Sequence, residues 1–356
     1  MLTSSACRKD PGMTTPDPTD NELYFPPLNG SNWETISPES LDWETSKIPD
    51  LLQFLEEGKS RAFLVLKDGK IVIEAYFGKN LLGTADFGQN TNWYWASAGK
   101  TLTAFTVGLA QEEGYLDINK SSATYLGTDW ADITSEQAQA ITVRHHLTMT
   151  TGLDDGVDNK DCTEPECLVY LAEPGTRWAY HNAAYTILDR IIEGGTQQDF
   201  DDYFHSRLTD KIGMDGFWSY VDYNHVYFST ARSMARFGLL NLNKGKWEDQ
   251  TVMSDMDYFE DMYHPSQNIN NSYGYLWWLN GQSSYMLPGI QLELPGSIIP
   301  AAPADLYAGI GKNSQFVHII PSRNLIVVRM GENPDQSLVP INFQRDLWEI
   351  LDGIIR

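Results

Sequence analysis

Trp95-Ala96-Ser97-Ala98-Gly99-Lys100 runs directly into Thr101-Leu102-Thr103-Ala104-Phe105-Thr106-Val107-Gly108-Leu109-Ala110. The second stretch is helix-like and should end near Gly114, which places Ser97 at a helix start. Unpaired N–H groups and the positive end of the helix dipole favour a developing oxyanion there. Residues three apart share a helix face, so Lys100 can reach the Ser97 hydroxyl. A serine hydroxyl is a poor nucleophile until a base takes its proton. A lysine does so only if burial or a neighbouring cation brings its pKa towards neutrality. On the tetrapeptide alone, an N-cap serine followed by a surface lysine is the better reading.

The surroundings give the fold. Apolar runs at 61–66 and 70–77 are joined by Asp68-Gly69, a β-hairpin signal. The far end mirrors them: residues 315–320, the turn Pro321-Ser322-Arg323-Asn324, then 325–330. Leu41, Ile48, Leu51, Leu52 and Leu55 suggest a helix from Ser40 to about Glu57, ending near Gly58. A helix carrying Leu347, Ile350, Leu351 and Ile354 closes the chain. From about 98 to 290, helical patterns alternate with long loops. This predicts an α+β fold, an antiparallel sheet flanked by helices, with an inserted, mainly helical lobe. The α/β lobe would comprise about 39–100 and 290–356, and the helical lobe about 101–289. Ligand sites often lie between such lobes. Residues 1–38 read as a Pro-, Asp-, Asn- and Thr-rich tether, ordered at most by local contacts such as those of Tyr24-Phe25-Pro26-Pro27.

The chain has 356 residues, 42% of them hydrophobic, enough for one large two-lobed unit or two modest domains. No run of 18 apolar residues suggests a membrane span. A formal net charge of −23 repels phosphate backbones and argues against nucleic acid as a partner. Cys162 and Cys167 lie in an acidic loop where a local disulfide fits, implying an oxidising compartment; no second ligand pair accompanies them for zinc. Asp154 to Asp161 lacks the spacing and terminal Glu of a calcium loop and reads as a solvated loop. Cys7 follows small residues and precedes a polar stretch, like the remnant of a bacterial lipoprotein signal whose apolar part is missing. A lipid anchor at Cys7, on a periplasmic or cell-surface protein, and a stray cysteine in a disordered terminus fit equally well.

Three segments carry a family resemblance. Ser97-Ala98-Gly99-Lys100 is followed by Gln111-Glu112-Glu113-Gly114-Tyr115-Leu116-Asp117. Next comes Ile141-Thr142-Val143-Arg144-His145-His146-Leu147-Thr148-Met149-Thr150-Thr151-Gly152-Leu153. The third is Pro174-Gly175-Thr176-Arg177-Trp178-Ala179-Tyr180-His181-Asn182. In this order they resemble the serine β-lactamase and penicillin-binding-protein superfamily. The likeness is greatest to its class C β-lactamase, family VIII esterase and nylon-oligomer hydrolase branches, and it runs in register from about residue 60 onward.

The resemblance implies Ser97 as nucleophile, and Lys100 and Tyr180 as a coupled acid/base unit. Tyr180 would be partly phenolate beside two cations. Asn182 would orient Lys100 or a substrate amide, His181 would stand at the rim, and His145 and His146 would be structural. The third motif falls on Leu306-Tyr307-Ala308, or on Tyr307-Ala308-Gly309, with no cation in either register. Lys312 would lie beyond the strand end. That absence turns the expectation away from β-lactam and D-Ala-D-Ala substrates. The N–H groups of Ser97 and Gly309 would hold the oxyanion. Two or three of Trp93, Trp95, Trp178, Trp277 and Trp278 at the cleft would favour an apolar acyl or amide chain. The implied activity is cofactor-free and metal-free hydrolysis of a small ester or amide through an acyl-enzyme. The alternatives are a cell-wall D,D-peptidase, a β-lactamase, or a catalytically idle sensor.

Overall fold

A computed structural model describes residues 23–335 and 341–355. In chain order the elements that frame the site are α1 (Ile48–Glu57), β1 (Ser60–Lys67), β2 (Lys70–Tyr76), β3 (Trp93–Tyr94), α2 (Lys100–Glu112), α3 (Asn182–Thr196), β4 (Phe217–Val221), β5 (Asn224–Ser229), α4 (Ala231–Leu242), β6 (Trp278–Leu279), β7 (Tyr307–Gly311), β8 (Gln315–Ile320), β9 (Leu325–Gly331) and α5 (Ile341–Asp352). Shorter helices lie between α2 and β6.

Asp68 and Gly69 take φ of 50° and 81°. A two-residue turn that matches the twist of its strands needs positive φ at both positions. The hairpin β1–β2 and the C-terminal hairpin β8–β9 meet edge to edge, with Ala62 opposite Met330 and Lys67 opposite Leu325. The resulting antiparallel sheet has the order β2-β1-β9-β8-β7-β6.

Strand alternation shows which helix covers which face. Val317 points to α4: a Cβ on Gly238 would lie 3.1 Å from its Cγ2 and 2.9 Å from Ile326 Cγ2, so glycine lets the helix approach this closely. His318, the next residue, points the other way, to α5. There Trp348 Nε1 donates to His318 Nδ1, and His318 Nε2 donates to Gln344 Oε1, each at 2.9 Å. The fold is thus α+β, an antiparallel sheet with helices on both faces.

Several expectations need correction. The helix predicted from Ser40 begins at Ile48, after two single turns at Pro38–Leu41 and Thr45–Lys47. Asp42, with φ 56°, breaks the pattern, and Pro49 fits only a first turn. The described part of the tether is docked through long-range bonds. Tyr24 N donates to Asp68 O (3.0 Å), Trp33 Nε1 to Gly69 O (2.8 Å), and Arg236 Nη2 to Pro27 O (2.7 Å). Cys7 lies outside the described residues. Two pieces of 101–289, α4 and β6, pack with the sheet instead of forming part of a separate helical lobe.

One buried cation ties the sheet to the turn after β7. Arg329 is fully buried. It donates to Ser60 Oγ (3.0 Å) and to the carbonyls of Asn313 (2.5 Å), Ser314 (3.0 Å), Gly58 (2.7 Å) and Glu332 (3.1 Å). Arg329→Met should leave these acceptors buried without donors and lower the unfolding free energy by about 3 kcal/mol, read by urea titration.

Candidate active site

The approach to Ser97 is pinned to the β4–β5 hairpin. Trp93 pairs with Ser229, and Trp95 N donates to Tyr227 O at 2.8 Å. Ala96 then takes φ 48°, a left-handed conformation that costs a non-glycine residue about 1 kcal/mol or more. A 3₁₀ turn at Ala96–Gly99 leads into α2. The strained step sets Ser97 in a tight turn at the helix start, at the floor of a cleft of about 710 Å³.

Lys100 is buried, 3% exposed. Its Nζ donates to Ser97 Oγ at 3.1 Å and to Asn182 Oδ1 at 2.9 Å. It lies 4.1 Å from the ring centre of Tyr185 and 5.1 Å from that of Tyr180. Burial lowers its pKa to about 7, opposed by the carboxylates of Asp161 and Asp189. This meets the condition the sequence set for a lysine base.

Tyr180 is stacked on Trp278 (5.9 Å between ring centres) and flanked by Trp178 and Tyr273. Its hydroxyl interacts with Ser97, yet burial pushes its pKa well above the usual phenol value. The expected phenolate is therefore corrected: among the described residues one cation, Lys100, faces the ring, and Tyr180 stays a neutral phenol at rest.

The third motif lies along the Ser97 turn at two glycines. A Cβ on Gly309 would lie 3.1 Å from Thr101 Cγ2 and 3.3 Å from Ala98 O. Gly311 is also against the Ser97 turn: its Cβ would sit 3.0 Å from Ser97 N, 2.9 Å from Ala98 N and 2.5 Å from Trp95 O. Only Lys312–Ser314 separates β7 from β8, and the end of β7 is the part that reaches Ser97 N itself. Tyr307 is buried and donates to Asn241 O (3.2 Å), and Ala308 is buried opposite His318. Neither lines the cleft. Lys312 and Asn313 do, so a cation stands at the site after all.

The condition set for the tryptophans is not met. Trp93, Trp95, Trp178, Trp277 and Trp278 are all buried in the core and absent from the cleft lining. His181, expected at the rim, is 1% exposed, and neither ring nitrogen has a hydrogen-bond partner among the described residues. Burial lowers its pKa to about 4 and keeps it neutral. His146 Nδ1 lies 2.6 Å from Ala184 O, and His145 Nδ1 accepts from Thr142 N (3.0 Å); both hold the local fold.

Sequence reading missed the cleft's apolar wall, formed by Leu81, Tyr94, Val221, Val226 and Phe228. Three of these lie on β4–β5, whose signal was the alternation at 217–229 around Asp222 (φ 53°). It also missed Asp161, which accepts from Asn182 Nδ2 at 2.8 Å, and the buried pair of Asp189 Oδ2 and His225 Nδ1, 2.9 Å apart. Burial raises Asp189 to about 6. Cys162 and Cys167 are disulfide-bonded.

Two hairpins from opposite ends of the chain, joined over a helix that begins Ser-x-x-Lys, form the framework shared by hydrolases of the β-lactamase superfamily. The family model described as Beta-lactamase matches residues 55–336, and the chain belongs to that family. No curated protein matches the sequence. Among solved structures, a Bacillus anthracis protein provisionally named a 6-aminohexanoate-dimer hydrolase is similar, with a TM-score of 0.67 and 18% identity over 90% of this chain and 87% of that one. A Bacteroides dorei protein provisionally named a β-lactamase has a TM-score of 0.68 and 16% identity over 88% and 99%. A penicillin-binding protein from Bacillus halodurans has a TM-score of 0.63 and 16% identity over 84% and 99%. These likenesses concern the fold.

Proposed function

We propose that the protein is a serine hydrolase that cleaves esters or amides through an acyl-enzyme on Ser97. The observation that carries this reading is the 3.1 Å contact between Ser97 Oγ and a buried lysine whose pKa burial has lowered to about 7. Neutral Lys100 gives one N–H to Asn182 Oδ1 and keeps a lone pair for the Ser97 proton. Ser97 Oγ then attacks the carbonyl carbon. The oxyanion is held by N–H groups at the turn before α2 and at the end of β7. The Tyr180 phenol protonates the leaving oxygen or nitrogen and is reprotonated by the Lys100 ammonium. Water attacks the acyl-enzyme by the same proton path in reverse, freeing the acid and Ser97.

The apolar wall supports an acyl or amide chain of several carbons. Each buried methylene contributes about 0.8 kcal/mol. On p-nitrophenyl esters, kcat/KM should therefore rise about 10-fold or more from acetate to hexanoate. Lys312 at the cleft favours a second reading, in which a substrate carboxylate binds there, as in a β-lactamase or D,D-peptidase. Nitrocefin turnover faster than ester turnover would select that reading; slow nitrocefin turnover with the chain-length trend selects the first. The disulfide supports work in an oxidising compartment such as the periplasm or cell surface.

A further inference from the structure

Asn182 can turn either its oxygen or its nitrogen towards Lys100. Oδ1 faces Lys100 Nζ at 2.9 Å, and Nδ2 donates to Asp161 Oδ1 at 2.8 Å. A carboxylate only accepts hydrogen bonds, so Asp161 decides this orientation. The flipped amide would set oxygen against carboxylate and NH₂ against the Lys100 N–H groups.

Asp161 is itself held in place. Its N–H donates to Asn159 Oδ1 (3.1 Å), and Lys160 O accepts from Ala183 N (3.1 Å), beside Asn182. The next residue is Cys162, bonded to Cys167. The closed loop is anchored again where Asp132 N donates to Pro165 O at 2.8 Å.

We propose that Asp161 is a positioning residue. Its carboxylate sets the Asn182 amide and, through it, the lone pair of Lys100, and the Cys162–Cys167 loop holds that carboxylate in place. The proposal rests on the reading of Lys100 as the base. The groups facing Lys100 are Ser97, Asn182, the rings of Tyr180 and Tyr185, and the carboxylates of Asp161 and Asp189; Lys160, Lys312 and His225 line the same cleft. Both carboxylates oppose the effect of burial on Lys100. Loss of the Asp161 charge should therefore lower the pKa of Lys100 and move the acid limb of activity to lower pH.

The test is the pH profile of p-nitrophenyl ester hydrolysis for three variants of the full chain. Asp161→Ala should lower kcat about 10- to 100-fold with little change in KM, and shift the acid limb down by about half a pH unit or more. Asp161→Asn can still accept from Asn182, so it should recover most of kcat yet keep the shifted limb. Cys162→Ser combined with Cys167→Ser should lower kcat too, and adding Asp161→Ala to it should cost little more, because both act through one contact. Wild-type kcat and limb in Asp161→Ala would overturn the proposal, as would a loss of kcat with the limb unmoved in both Asp161 variants. Full additivity with the cysteine variant would overturn the role of the loop. A wild-type profile with no limb near pH 7 would remove the base reading itself, a failure distinct from these.

Discussion

Ser97→Ala is expected to lower ester hydrolysis by at least about 10⁴-fold, to a residual rate set by binding and oxyanion stabilisation alone. The size of the effect follows from covalent catalysis: without Oγ no acyl-enzyme forms, and Lys100 has no proton to take. Structurally the change is small. Ser97 lies in the turn at Ala96–Gly99, and its described side-chain contacts are with Lys100 and Tyr180. The variant should unfold at the same urea concentration as the wild type, within about 0.5 kcal/mol. Comparing steady-state turnover with a urea titration separates lost chemistry from lost fold. Retained turnover in a folded variant would place the nucleophile elsewhere.

Lys100→Met should reduce kcat/KM by about 10²- to 10⁴-fold. In the wild type, the same residue should give the pH profile its acid limb. In the proposed mechanism the free base takes the proton, and burial lowers the pKa of Lys100 to about 7. Activity should therefore rise through pH 7 and level off above pH 8, with about a hundredfold less at pH 5 than at the plateau. The limb belongs to Lys100 and not to Tyr180, because burial raises the phenol away from this range. It should vanish from the residual activity of Lys100→Met. An unchanged limb in that variant would assign it to another group, such as the buried Asp189, raised to about 6.

Much of this site was legible in the sequence where the chemistry is local. Ser97 and Lys100 are three residues apart on one helical turn, so their contact follows from helix geometry. The Asp68-Gly69 hairpin was legible for the same reason: its turn needs two positive φ values that this dipeptide supplies. What failed depends on where distant segments meet. Counting along the chain reaches Gly309, which packs against Ala98 O, but only packing shows that Gly311 lies against Ser97 N as well. Lys312 seemed out of reach as a residue past the strand, yet the short turn before β8 brings it to the cleft. The sequence leaves open whether any of the tryptophans near the motifs reaches the cleft; none does. Large rings are favoured in the core, and the smaller residues of β4–β5 line the cleft instead. The protonation of Tyr180 was illegible because it is set by burial, which no motif encodes.

Whether Ser97 is the nucleophile is decided by covalent labelling with a serine-reactive phosphonate, followed by intact-mass measurement and peptide mapping at several pH values. One adduct per chain is expected, on Ser97, forming at a rate that rises through pH 7 and absent from Ser97→Ala. An adduct on another residue, or full labelling of Ser97→Ala, would contradict that assignment.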